Sequence, residues 1–170
     1  MKYTIPKGEH YGRPRRFGLH FGRTKQTWLV RFDESCLYES NHDYYQWNKG
    51  TGWIYGLFSD ANSIRWCWRP KPENQNRIEV GIYLHNEGNI REPRFEQRIE
   101  LPADLSEELK FVLTYNTTEK QVFLEVMGKQ ISQVINEPFA AKPCPGWLNF
   151  PYFGGTRRAP HDITISATSL

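Results

Sequence analysis

Apolar and polar residues alternate with period two along most of the chain. In SIRWCWR, Ile64, Trp66 and Trp68 fall on one side and Arg65, Cys67 and Arg69 on the other. RIEVGIYLH sets Ile78, Val80, Ile82 and Leu84 against Glu79, Gly81, Tyr83 and His85. TWLVRFD places Trp28, Val30 and Phe32 together, and RRFGLHF places Phe17, Leu19 and Phe21 together, opposite Arg16, Gly18 and His20. ELKFVLTYN, QVFLEVM, QISQVI, GWLNFPYF and HDITISA continue the pattern. Side chains on a strand alternate between the two faces of a sheet, so each segment reads as a strand with one buried face.

The breaks carry turn chemistry. RPKPENQN (69–76) has two prolines and two asparagines and is excluded as a central strand. YNTTEKQ (115–121) and VMGKQI (126–131) read as hairpin turns, and EPFAAKPCPG (137–146) as a proline-rich connection. LPADLSEEL (101–109) is the one candidate for a short helical turn, with Pro102 and Asp104 near its start. Roughly ten to twelve short strands separated by turns predict two packed antiparallel sheets with little or no helix. A closed barrel is the alternative reading of the same pattern, and one open sheet of that many strands would be unusual.

Composition sharpens this picture. The 170 residues suit a single domain over 1–170. Only 38% of residues are hydrophobic but 15% are aromatic, which points to cores built on Trp, Tyr and Phe under polar outer faces. The net charge of +3 is spread among acidic residues and gives no nucleic-acid stripe. Cys36, Cys67 and Cys144 are an odd count with no CxxC, so free packed thiols are expected. The start MKYTIPKGEHYGRP has no apolar signal-peptide region, and no stretch approaches a membrane helix. The expectation is a cytoplasmic location by default, with neither membrane nor nucleic acid as partner.

KFVLTYNTTEKQVFLEVMGKQISQVI (110–135), a strand, a short turn, a strand and a Gly-Lys turn, resembles the late hairpins of concanavalin A-like and laminin G-like jelly rolls. IPKGEHY (5–11), VRFDESCLY (30–38), WNKGTGWIYGL (47–57), NSIRWCWR (62–69) and PYFGG with APHDI look similar to uncharacterised bacterial proteins of the Bacteroidetes type. The resemblance implies an all-β, two-sheet antiparallel jelly-roll β-sandwich, and it brings no established activity.

Several chemistries fit poorly. No ExDxE triplet aims two carboxylates into one groove; Glu96 and Glu100 are four apart and interleaved with Arg94 and Arg98. Glu79 and Glu125 are single carboxylates on separate strands. The five histidines, His10, His20, His42, His85 and His161, show no HxH or HExxH spacing, and no DxDxDG loop occurs. There is no GxSxG and no GxxxxGK[ST], and Cys67 between two tryptophans suits a packed thiol. No cofactor, metal or catalytic residue is expected; a glycoside hydrolase with a dispersed site ranks third among the readings.

Recognition remains. Arg65, Arg69, Glu79, Tyr83 and His85 lie opposite the apolar faces of two consecutive strands, and neighbouring strands would merge them into one patch. Sugars are bound by such mixtures, because aromatic faces pack against C–H groups and charged side chains bond hydroxyls. DYYQWNKGTGWIY (43–55) adds Tyr44, Tyr45, Trp47 and Trp53 as candidates for a loop rim. PYFGGTRRAPHDITISATSL (151–170) reads as a turn and a last strand, with Arg157 and Arg158 at the turn's tip. In that strand His161 shares its face with Ile163 and Ile165. A non-catalytic carbohydrate-binding domain is therefore the leading expectation. A structural or protein-interaction module, meeting itself or another chain in a larger assembly or phage particle, is the second.

Overall fold

The computed structural model describes residues 1–15, 18–39, 46–57 and 61–170. Arg16 and Phe17, His42, and the rim candidates Tyr44 and Tyr45 lie outside the described residues.

The chain forms two antiparallel sheets. One has the order β1 (Lys2–Ile5), β13 (Ile163–Ser169), β3 (Lys25–Phe32), β9 (Leu109–Asn116), β10 (Gln121–Met127) and β11 (Ser132–Pro138). The other runs β2 (Leu19–Phe21), β12 (Pro145–Asn149), β4 (Asn48–Tyr55), β5 (Ser63–Lys71), β6 (Asn74–Asn86) and β7 (Asn89–Arg91), with β8 (Ile99–Glu100) also paired to β6. The chain changes sheet after β1, β2, β3, β8, β11 and β12, giving the expected two-sheet jelly-roll β-sandwich. Single 3-10 turns at Glu34–Cys36 and Phe95–Gln97 are the helical elements among the described residues. The 101–109 segment forms a turn rather than a helix, with Asp104 Oδ1 accepting from the Ser106 backbone N–H.

The alternation explains the core. Trp66 and Trp68 of β5 meet Phe32 of β3 edge-on at ring separations of 6.2 and 5.7 Å, and Trp66 meets Phe111 of β9 at 5.3 Å. Each aromatic side chain removed from water contributes on the order of 1.5–3 kcal/mol, so these rings add substantially to the Ile, Leu and Val side chains packed around them. β4 makes room for this cluster. It carries an extra residue between Lys49 and Gly52, opposite Cys67 and Arg65, and a Cβ on Gly50 would lie 2.3 Å from the Trp66 ring. Thr51 Oγ1 accepts the Trp66 indole N–H at 2.9 Å.

β2 reverses the face expected from the sequence. His20 is buried, and Leu19 and Phe21 point to solvent. A Cβ on Gly18 would lie 2.6 Å from Leu148 Cδ1, so this stretch turns its small residue and its histidine inward. The imidazole then replaces water with two protein contacts: Nε2 meets the Ile54 carbonyl at 2.8 Å, and Nδ1 accepts the Arg23 backbone N–H at 3.2 Å. Burial lowers the His20 pKa; the Ile54 carbonyl opposes that shift and Arg23 adds to it. The unfolded chain therefore takes up a proton that the folded chain refuses. Stability contributed by neutral His20 is fully present above about pH 6.5 and declines as the pH falls toward the lowered value. Urea unfolding at about pH 7.5 and about pH 5.5 is expected to show a steeper loss for wild type than for His20→Gln; equal losses would mean that His20 titrates normally.

Candidate functional site

β5 and β6 are hydrogen-bonded neighbours, and their register places Ser63 opposite His85, Arg65 opposite Tyr83 and Arg69 opposite Glu79. Arg65, Arg69, Glu79, Tyr83 and His85 thus share the outer face of the seven-stranded sheet. Much of that face is roofed. Pro93 packs onto Gly81, where an added Cβ would lie 2.4 Å from its Cγ. Trp47 forms a small buried cluster with Cys67 and Tyr83. Arg69 stacks on the Trp47 ring at 4.5 Å and donates to Glu79 Oε2 at 3.0 Å, with Arg98 Nη1 3.9 Å from the same oxygen. Arg69, Glu79 and Tyr83 are accordingly buried, and Arg65 and His85 keep partial access to solvent.

Beside Tyr83 lies a cation that sequence reasoning missed. Lys49 Nζ sits 4.6 Å from the Tyr83 ring centroid and 5.4 Å from that of Tyr152, and donates to the Gly154 carbonyl at 2.8 Å. Burial lowers its pKa, Glu92 pulls it up and Arg65 pushes it further down. Burial pushes the Tyr83 phenol up to about 12. Cys67, fully enclosed, has its thiol raised well above the ordinary range by burial, which suits packing and not attack.

The remaining candidates separate. Trp53 and Trp47 are buried, Trp53 between the sheets, and neither forms a rim. Arg157 and Arg158 are exposed on a loop tied down at its stem: Gly154 N–H donates to Asn48 Oδ1 at 2.7 Å, and the Gly155 and Thr156 N–H groups donate to Gln46 Oε1. Gly154 adopts φ +53°, the left-handed region that glycine enters without strain. His161 Nε2 meets the Ser35 carbonyl at 2.8 Å, whereas Oδ1 of the adjacent Asp162 accepts the Lys7 N–H, so the two neighbours point to different partners.

The open half of the sheet face holds a feature that the sequence did not single out. Leu19, Trp147, Ile54, Ser63, His85 and Ile90 stand directly opposite one another across six adjacent strands. At the usual strand spacing this row is about 24 Å long. Leu19, Trp147 and Ile90 are 47%, 37% and 61% exposed. Phe21 continues the apolar surface on β2, and Leu57 does so just after β4. The Trp147 indole N–H donates to the Leu57 carbonyl at 3.0 Å, which fixes the ring's orientation before any ligand arrives. Arg65 lies one step along β5 on the same face, adding a guanidinium beside His85.

No family model and no curated protein matches the chain. Its fold is similar to several solved structures at low identity. One is the CBM2 module of the evolved Dit of Lactobacillus casei BL23 phage J-1 (TM-score 0.48, 9% identity, covering 99% of this chain and 66% of that one). Another is the catalytic domain of a glycoside hydrolase family 131 protein from Coprinopsis cinerea (TM-score 0.46, 13% identity, 99% and 68%). A third is the CBM40 of the Ruminococcus gnavus IT-sialidase, bound to α2,3-sialyllactose (TM-score 0.42, 11% identity, 99% and 91%). The chain spans about two thirds of the length of the first two. None of these similarities selects a site, so the functional reading rests on the sheet face itself.

Proposed function

We propose that the protein is a non-catalytic carbohydrate-binding domain whose ligand lies along the row from Leu19 to Ile90. The observation that carries this reading is Trp147: a partly exposed indole, locked by its own hydrogen bond, between Leu19 and Ile54 in the strip. One pyranose of an oligosaccharide offers a C–H face to such a ring, and a unit farther along the row, about 14 Å away at three strand spacings, offers hydroxyls to the His85 imidazole and the Arg65 guanidinium. The rigid sheet supplies these groups already arranged, so little ordering cost accompanies binding.

The opposed glutamates argue against hydrolysis at the roofed end of the face. Glu79 and Glu100 stand directly across β6 and β8, but Glu79 is held by Arg69 and Arg98, and Glu100 lies beside Lys71 and Arg77. Their carboxylates serve as ion-pair partners rather than flanking a scissile bond. A second reading, a protein-interaction module, draws on the 81% exposure of Phe21 and the 61% exposure of Ile90 on the short strands β2 and β7. A glycan array probed with wild type and Trp147→Ala separates the two. Retention of a glycan class by wild type and its loss in the variant is expected; an array blank for both would leave the interaction module as the better account.

A further inference from the structure

Glu137 occupies a position where a carboxyl is not expected. It lies on β11 opposite Val122, whose side chain is fully buried, so it sits on the inner, apolar face of its sheet. Only 4% of the residue is exposed. Its Oε1 has no hydrogen-bond partner among the described residues, and its Oε2 lies 3.8 Å from Arg94 Nη2, beyond hydrogen-bond distance. Burial raises the Glu137 pKa, and Arg94 and Arg91 pull it back. A core that needed only packing would place an aliphatic residue here, since an unsatisfied buried carboxylate is costly.

Glu137 borders a cavity, and its Oε1 is shielded from solvent at that wall. Ile90, Arg91, Glu92, Arg94, Glu137 and Pro138 line a space of about 490 Å³ at the mouth between the sheets, where β7 faces β11. The same Ile90 ends the row that runs across the outer face, so strip and cavity are continuous. Two guanidinium groups, Arg91 and Arg94, and two carboxyls, Glu92 and Glu137, balance in charge and supply both donors and acceptors. That chemistry suits a pair of adjacent hydroxyls, each of which donates one hydrogen bond and accepts others.

We propose that this mouth is a terminal sugar subsite, in which the Glu137 carboxyl rotates toward the cavity and accepts from two neighbouring hydroxyls of the end residue of a glycan lying along the strip, while Arg91 and Arg94 donate to that residue's oxygens. The inference rests on the carbohydrate reading of the strip. Glu137 is then a specificity residue, selecting ends that carry an unsubstituted vicinal pair.

The test is amide-resolved NMR titration of the whole protein with the methyl glycosides of glucose, mannose and galactose. At least one is expected to perturb amides in 90–94 and 136–138. Glu137→Gln is expected to weaken that response about tenfold or more, as losing a charged acceptor does. The same variant is expected to melt at or above the wild-type temperature near neutral pH, because it removes a carboxylate that burial disfavours. Silence of these amides with all three sugars, or an unchanged titration in Glu137→Gln, would overturn the subsite. The two readings fail separately. A silent mouth beside an array that retains glycans through Trp147 removes the subsite alone; a responsive mouth with a blank array removes the strip.

Discussion

Replacing Trp147 by alanine is expected to weaken binding of a retained glycan by about thirtyfold, the equivalent of about 2 kcal/mol, while leaving the melting temperature nearly unchanged. The size follows from geometry. The ring is anchored to the Leu57 carbonyl and flanked by Leu19 and Ile54, so it offers a fixed flat surface. The small effect on stability follows from exposure, since a side chain open on one face of a sheet leaves no core cavity when truncated. Titration calorimetry with the retained glycan, paired with thermal melts, checks both halves. A variant that binds normally, or one that fails to fold, would each contradict the assignment of Trp147 to the ligand surface.

Arg69→Leu is expected to do the reverse. It leaves the Glu79 carboxylate buried with Arg98 at 3.9 Å as its remaining ion-pair partner among the described residues, and strips a guanidinium from the face of Trp47. Breaking a buried pair in this way costs about 3–5 kcal/mol, and for a domain of this size that is roughly 6–20 °C in Tm. The double variant Arg69→Leu/Glu79→Leu is expected to recover much of the loss, because it removes the stranded charge. Urea unfolding of the two variants measures the difference. A single variant as stable as wild type would show the pair to be a solvated surface contact. Glycan binding by the folded fraction of Arg69→Leu is expected to persist, in contrast to Trp147→Ala.

These contrasting effects show what the sequence made legible. The sandwich was readable, because Trp66, Trp68, Val80 and Ile82 repeat every second residue on strands long enough to fix a face. Alternation also implied that Arg65, Arg69, Glu79, Tyr83 and His85 would share one face if β5 and β6 were neighbours, as they are. It did not reveal which polar positions stay in solvent. Arg69 and Glu79 read as a wet patch, yet they are buried under Trp47 and the 93–98 segment, a burial made tolerable by their mutual charge. The roof depends on the tertiary placement of Trp47 and Pro93, which periodicity does not encode.

The strip was hidden for a different reason. On β2 only three residues carry the signal, and two apolar positions against one histidine suggested the wrong face. The inward face is decided by the fit of Gly18 beneath Leu148 and by the hydrogen bonds available to His20, both long-range facts. Trp147 lay within a recognised strand, but nothing in GWLN marks its indole as facing solvent. Trp53 carried the opposite error: an aromatic in a glycine-rich segment suggested a rim, and the bulge in β4 turns it into the core.

The strip can be tested through light emission. Of the six tryptophans, Trp28, Trp47, Trp53, Trp66 and Trp68 are buried at 0–2% exposure and Trp147 is 37% exposed. Acrylamide quenching of the folded protein therefore reports mainly on Trp147. A glycan retained on the array is expected to protect that emission in proportion to its occupancy, and Trp147→Ala is expected to abolish both the quenchable fraction and the protection. Saturating binding with no change in quenching would place the ligand elsewhere and contradict the account.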